Sequence, residues 1–226
     1  MSHELLFSAA SAIQQGLFLT LAITCCSFFL GQILALPIAI ALVSRSKWVR
    51  WPAKSYTFAI RGSPLLVQLF IVYYGFAQID VIRESVVWPI VRSAFYCSII
   101  AISANSAAYS AELLAGAIKH VPRGQWEAAN SLGLSSSSRL FRIVLPQAYR
   151  AILPSISNEL ILVMKSSTLA SAVTVLEMTG AARVFVARSY APFEAFLIIG
   201  IAYLAIGAVF GSVGKVVERR LAIPAR

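Results

Sequence analysis

Three ionisable residues interrupt otherwise apolar stretches of this sequence: Glu112, Glu159 and Lys165. At mid-depth in a bilayer such a group costs about 2.5–3.5 kcal/mol on insertion scales, so it faces a cavity or a partner. One reading pairs them between helices, for example Glu112 with Lys165. The other has Glu159 and Glu112 lining a path for a solute with a cationic head, with Asn105, Ser106 and Tyr109 adding neutral hydrogen-bonding groups. If a helix starts near Ala151, a rise of about 1.5 Å per residue puts Glu159 ~12 Å and Lys165 ~21 Å along it. The helix turns about 600° between them, so they do not share a face as i,i+4 pairs do. Each needs a partner on another element.

Covalent chemistry finds little support. The sequence contains no HExxH or GxSxG, and its nearest approach to the phosphate-binding GxxxxGK[ST] is GSVGK, 211–215, with the wrong spacing. This chain is not expected to hydrolyse ATP itself. His3 and His120 are far from any plausible catalytic partner, and His120 reads as a solvated loop residue. Cys25, Cys26 and Cys97 sit in apolar runs without CxxC spacing or a nearby histidine, so neither a metal site nor a disulfide framework is expected, and no cofactor. Glu177 follows an apolar run and reads as a solvated loop carboxylate or as a contact for a partner or solute.

These residues need elements to position them, and the composition says which. Of 226 residues, 59% are hydrophobic and 12% charged, against about 25% charged in soluble domains. Five segments, 16–43, 62–79, 94–118, 151–176 and 193–217, are close to the roughly 20 apolar residues that cross a bilayer. Backbone amides find no water in lipid, so each must be helical or shielded by protein. The expectation is one all-α membrane domain over 1–226, with a five-helix core at 16–217. Pro37 is expected to bend the first helix, and Ser63 to cap the second with Pro64 at its first position. WPIV, 88–91, is too short to span. The first 15 residues lack the basic segment of a cleavable signal, so the first span is expected to be retained. In the fifth, Gly207 and Gly211 form GxxxG with Gly214 close by, a close-packing face either within the bundle or at a dimer seam.

The basic residues set the orientation, because Lys and Arg near span ends stay in the cytoplasm. Arg45, Lys47, Arg50, Lys54 and Arg61 follow the first span; Lys119, Arg123, Arg139, Arg142 and Arg150 follow the third; Lys215, Arg219, Arg220 and Arg226 end the chain. The other side has only Arg83, Arg92, Arg183 and Arg188. The N-terminus is therefore expected outside and the C-terminus in the cytoplasm. A net charge of +10 then reads as topology and attraction to anionic membrane lipid, and no nucleic acid is expected.

Residues 119–150, between the third and fourth spans, are too polar to enter the bilayer. Pro122 can open a helix, Trp126, Ala129 and Leu132 share a face, and Gly133 supplies a stop. Ser135 or a neighbour can cap a second helix, with Leu140, Phe141 and Val144 as its stripe, before Pro146 ends it. The product is a helix-turn-helix knob on the cytoplasmic side.

Within EAANSLGLSSSSRLFRIVLP, 127–146, the residues Glu127, Ala128, Ala129, Gly133, Ile143, Leu145 and Pro146 fill every position of the spacing E-A-A, three residues, G, nine residues, I, one residue, L-P. This resembles the EAA loop of ATP-binding-cassette importer permeases. FAIRGSPLLVQLFIVYYG, YSAELLAGAIKHVPRGQWEAA and LPQAYRAILPSISNELILVMKSSTLAS extend the likeness to the polar amino-acid branch of that family, over roughly 16–217. One departure is Ser166 in MKSSTLAS, where many relatives carry an acidic residue after the lysine.

The resemblance implies a type I importer fold and a dimer of five-helix subunits, the second being a copy or a sister permease. It also implies two separate ATP-binding-cassette ATPases below and a periplasmic solute-binding protein above. The seven motif residues would couple to the ATPase, and the chain would sit in the bacterial inner membrane. The expected function is transport of a polar, basic amino acid or opine by alternating access, not an enzymatic activity. The alternatives are another small polar solute, or a passive channel or scaffold that needs no ATPase.

Overall fold

The computed structural model describes residues 3–221, and every regular element among them is helical. In chain order these are α1 (His3–Val43), α2 (Lys47–Gly62), α3 (Leu65–Phe70) continuing through a π turn (Ile71–Gly75) and a 3-10 turn (Phe76–Gln78), and two short pieces, α4 (Asp80–Arg83) and α5 (Trp88–Val91). Then come α6 (Ala94–His120), α7 (Arg123–Ser131), α8 (Ser136–Ser138) with a π turn (Arg139–Val144), and α9 (Leu145–Ser166) with a 3-10 turn (Ser167–Val173). Helices α10 (Met178–Ser189) and α11 (Pro192–Leu221) complete the described part. Arg226, one of the C-terminal charges, lies outside the described residues.

The central seam is α1 against α6, and small residues make it. Along α1, Gly16, Thr20, Thr24, Ser27, Gly31, Ala35 and Ala39 recur every three or four residues, and all are buried. Gly16 and Thr20 pack against the start of α10, and from Ser27 onward the stripe faces a buried run on α6 that includes Ser98, Ala101, Ala108, Ala111 and Ala115. Between apolar helices in lipid, small side chains let backbones approach and dispersion contacts replace the missing hydrophobic drive. The approach is close at Gly31, where an added Cβ would stand 3.0 Å from Ser106. A cross-seam bond from Gln32 Nε2 to Ser110 Oγ, 2.8 Å, fixes the register. Pro37 lies inside α1, which continues to Val43.

Residues 47–62 are a helix, where the sequence had suggested only a basic connection. Helix α2 buries Thr57 and leaves Trp48, Trp51 and Phe58 exposed; its helical spacing is regular, but interspersed Lys and Arg and Pro52 deny it the continuous apolar run by which the spans were recognised. It meets the α3 segment at 107°. Ser63 closes α2 rather than capping the next helix: its hydroxyl donates to Ala59 O at 2.8 Å and accepts from Gln68 Nε2 at 2.9 Å. The same Gln68 amide reaches Ile60 O and Ser63 O, and so staples the bend from inside.

Two helices, over Gln14–Val43 and Pro192–Leu221, are long and apolar enough to cross a membrane alone, and the number rises to four if each of two bent pairs forms one span. Helix α6 has 27 residues, about 40 Å of rise, but its Ser-rich and Ala-rich buried face lowers its hydropathy. The glycines of α11 settle one alternative: Cβ atoms on Gly207, Gly211 and Gly214 would lie 3.6 Å from Met164, 3.8 Å from Ile161 and 2.7 Å from Ser157, all on α9. That face packs within the subunit.

Candidate functional site

The loop after α6 is built as a knob fastened to the helix ends. Val121, Val144, Leu145, Ala148 and Ile152 join Ala35, Ala39, Leu42, Leu114 and Ile118 in one buried cluster, with Trp126 and Leu140 packed against it. Gly133 takes φ +70 after α7, and the amides of Gly133 and Leu134 return to Asn130 O (2.9 Å) and Ala129 O (3.2 Å), so the helix stop anticipated there is present. Ser135 Oγ accepts from Ser138 N at 3.3 Å, the expected cap. Arg139 binds the Asn130 side-chain oxygen and, at 2.8 Å, Ser136 Oγ, which ties the two arms of the knob together. Arg45, Trp126, Glu127, Asn130, Ser136 and Arg139 line a surface cavity of about 500 Å³ here.

The motif residues divide by environment. Ala129 and Leu145 are buried and Ile143 is half-buried, whereas Glu127, Ala128, Gly133 and Pro146 are exposed. The two apolar stripes divide in the same way: Trp126, Ala129, Leu140 and Val144 turn inward, while Leu132 (79% exposed) and Phe141 (52% exposed) point out. Each stripe expected from the spacing is therefore split, with one member facing outward. Pro146 corrects a second expectation. It does not end the second arm but lies in the first turn of α9, so Ser136–Val173 is one run. A proline is tolerated in a first turn, where its missing N–H costs least, and the preceding π turn shifts the pairing locally. Gln147 Nε2 adds a bond to Ile143 O at 2.9 Å across the join.

Inside the bundle, Glu159 is 8% exposed. It lines a cavity of about 390 Å³ together with Asn105, Ser106, Tyr109, Lys165 and Thr168. Glu159 and Lys165, on different faces of α9, thus border the same space from opposite charge. Ser106 is 2% exposed, and its hydroxyl has no hydrogen-bond partner among the described residues. Asn105 Nδ2 donates to Gln68 Oε1 at 3.1 Å, which joins this cavity to the α2–α3 bend. A second cavity of about 660 Å³ adjoins it, lined by Arg61, Tyr109, Glu112, Asn158 and Glu159. Tyr109, Glu159 and Leu162 border both.

Glu112 does not pair with Lys165. Its Oε1 accepts from Thr57 Oγ1 at 2.7 Å and lies 3.8 Å from Arg61 Nη1. Arg61 and Thr57 escaped the sequence reading because Arg61 counted only as a charge near a span end. Glu177 also departs from expectation. It is fully buried and caps α10, accepting from Thr179 N and Gly180 N at 2.9 Å each and from Tyr203 OH at 2.8 Å, so it offers nothing to a solute or partner. The signal for this was its position: an acidic residue directly before a helix. Among the described residues no group of three His, Cys, Asp or Glu side chains is arranged for a metal.

Residues 27–223 match the family described as binding-protein-dependent transport system inner membrane component. The chain is 41% identical to the octopine transport system permease protein OccM of Rhizobium meliloti, over 92% of this chain and 84% of that one. It is 37% identical to the histidine/lysine/arginine/ornithine permease protein HisM of Salmonella typhimurium (91% and 88% covered), and 36% identical to the arginine permease protein ArtM of Haemophilus influenzae (93% and 92%). A crystal structure of an amino acid ABC transporter with histidines superposes with a TM-score of 0.84 at 31% identity, covering 97% of this chain and 99% of that one. An inward-facing MetNI methionine transporter, at 16% identity and TM-score 0.79, shares the fold. The chain belongs to the family of binding-protein-dependent transport system inner membrane components, and is a helical, multi-pass protein of the inner membrane.

Proposed function

We propose that this chain is the permease subunit of an ATP-driven importer that passes a cationic amino acid or opine between Glu159 and Lys165. One observation carries the cargo class: a carboxylate and an ammonium of opposite charge border a single cavity, with Asn105, Ser106 and Tyr109 as neutral groups between them. Cation and carboxylate of an amino acid find complementary partners there, and the unpartnered Ser106 hydroxyl can satisfy a polar atom of the cargo. Relatives named for octopine, arginine and histidine, lysine, arginine and ornithine support the class.

As a family member the chain works with an ATPase and a solute-binding protein. In this reading the ATPases number two and dock on the knob of residues 119–150, through exposed Glu127, Ala128, Gly133 and Pro146, with Ala129, Ile143 and Leu145 holding the knob to the core 16–217. The basic residues near Arg45 and Lys119 share the end of the bundle that carries the knob, which supports a cytoplasmic knob, an external N-terminus and a cytoplasmic C-terminus. Five spans form by adding α6 to the four apolar ones, in one membrane domain with its basic ends toward anionic lipid, and a second permease, copy or sister, completes the path. The test is uptake of L-arginine and of octopine by the reconstituted importer. Glu159→Gln should lower uptake at least about tenfold, and undiminished transport removes Glu159 from the path. A neutral polar solute as the sole cargo would favour the alternative within the family, and failure to co-purify a nucleotide-binding subunit would favour a passive channel.

A further inference from the structure

The second of the two membrane cavities already holds a cation of its own. Arg61 Nη1 lies 3.8 Å from Glu112 Oε1, and the guanidinium carbon stands 5.3 Å from the centre of the Tyr109 ring. The two halves of this pair are held very differently. Glu112 is anchored, because the hydroxyl of Thr57, itself 1% exposed, donates to the same Oε1 at 2.7 Å. Arg61 has no such hydrogen bond among the described residues: its side chain, 43% exposed against 36% for Glu112, is held only by the ion pair and the Tyr109 ring. A partly exposed pair at this distance is weak, whereas the Thr57 bond fixes the carboxylate in place. The carboxylate stays and the guanidinium can leave.

A solute path works only if each site releases what it binds. A cationic cargo leaving Glu159 by way of Tyr109 and Leu162 comes next to Glu112, and a free carboxylate there would hold it a second time. We propose that Arg61 is a resident placeholder for the cargo's cation: it occupies Glu112 and the Tyr109 face, competes with the cargo for both, and so prevents a second trap on the way out. The inference rests on the assignment of a cationic cargo to the Glu159 cavity. It makes Arg61 a residue that sets turnover and charge selectivity, with no contact to the ATPase.

The measurement is equilibrium binding of radiolabelled L-arginine and octopine to the purified permease–ATPase complex, together with initial uptake rates after reconstitution. Arg61→Gln should tighten binding about fivefold while lowering the maximal uptake rate by a similar factor, the scale of one weak ion pair. Arg61→Lys should behave like the unsubstituted protein, and Arg61→Gln combined with Glu112→Gln should return binding to the starting value. A merely structural Arg61 would give weaker binding in both Gln variants. Unchanged or weaker binding in Arg61→Gln overturns the placeholder, provided that Glu159→Gln abolishes binding, and so does a double variant as tight as the single one. If the unsubstituted complex binds neither compound, the cargo assignment fails and the placeholder fails with it.

Discussion

The Tyr203 hydroxyl donates to Glu177 Oε2 at 2.8 Å, linking α11 to the N-cap of α10. Thr20 extends the link to α1: its hydroxyl accepts from Met178 N at 3.1 Å and stands 3.5 Å from the same carboxylate oxygen. Three helices therefore meet on one buried carboxyl group whose oxygens are satisfied by hydrogen bonds from each side. Glu177→Ala removes a cap and leaves the partner groups unsatisfied, and should cost about 2–4 kcal/mol. Tyr203→Phe should cost about 1–2 kcal/mol. Thermal unfolding in detergent, followed by loss of monodisperse protein on gel filtration, checks both. A Glu177→Ala midpoint equal to that of the starting protein would contradict the role given to this cluster.

Helix α11 offers an internal control. Gly214→Ala places a methyl 2.7 Å from Ser157 Cβ, a contact that α9 must move to relieve, for about 1–3 kcal/mol. Gly200 has open space around it, so Gly200→Ala should be neutral or slightly stabilising through helix propensity. The comparison is between two alanines on the same helix, read by the same unfolding assay, and equal effects would mean that the α9 contact carries no energy.

Leu132 and Phe141 lie outside the buried cluster and are exposed on the knob, whereas Leu145 is buried under it. Leu132→Asp and Phe141→Asp should leave the permease as stable as before while cutting recovery of the ATPase in a pull-down at least about fivefold. Leu145→Asp should instead lower the yield of folded permease, since it buries an unpaired charge. Retention of the ATPase by both surface variants would move the docking face elsewhere.

Gly133 holds φ +70, a conformation that costs a β-branched side chain heavily. Gly133→Val should therefore distort the turn between the arms, abolish uptake and uncouple the ATPase, yet leave membrane insertion intact. Uptake at the original rate would show that the turn geometry is dispensable.

How legible was all this in the residues? Apolar length alone located the long segments, because crossing hydrocarbon is a requirement on composition. The knob was legible because Gly133 and Ser135 carry their own local chemistry. Helix α2 was hidden, since Pro52 and a scatter of Lys and Arg break the pattern that marks a span, and its partners are tertiary. Arg61 could be counted as a charge but not matched to Glu112, because no local rule links residues on α2 and α6. Pro146 misled for the opposite reason: the rule that proline stops helices is right for interiors, and here the proline stands in a first turn. Leu132 and Phe141 fit the apolar stripes by spacing, but the arms of the knob are too short for one stripe to bury all its members, and these two stay outside.

The uninterrupted run from Ser136 to Val173 has a mechanical meaning. From Ser136 to Lys165 it rises about 44 Å, softened at the widened turn Arg139–Val144 and again at Pro154, whose missing N–H breaks the hydrogen-bond ladder inside α9. In the proposed docking, force applied at the knob is carried along this run toward Glu159 and Lys165, and the two softened sections take up misalignment on the way. The stroke of the motor and the affinity of the cavity are then two readings of one lever's angle.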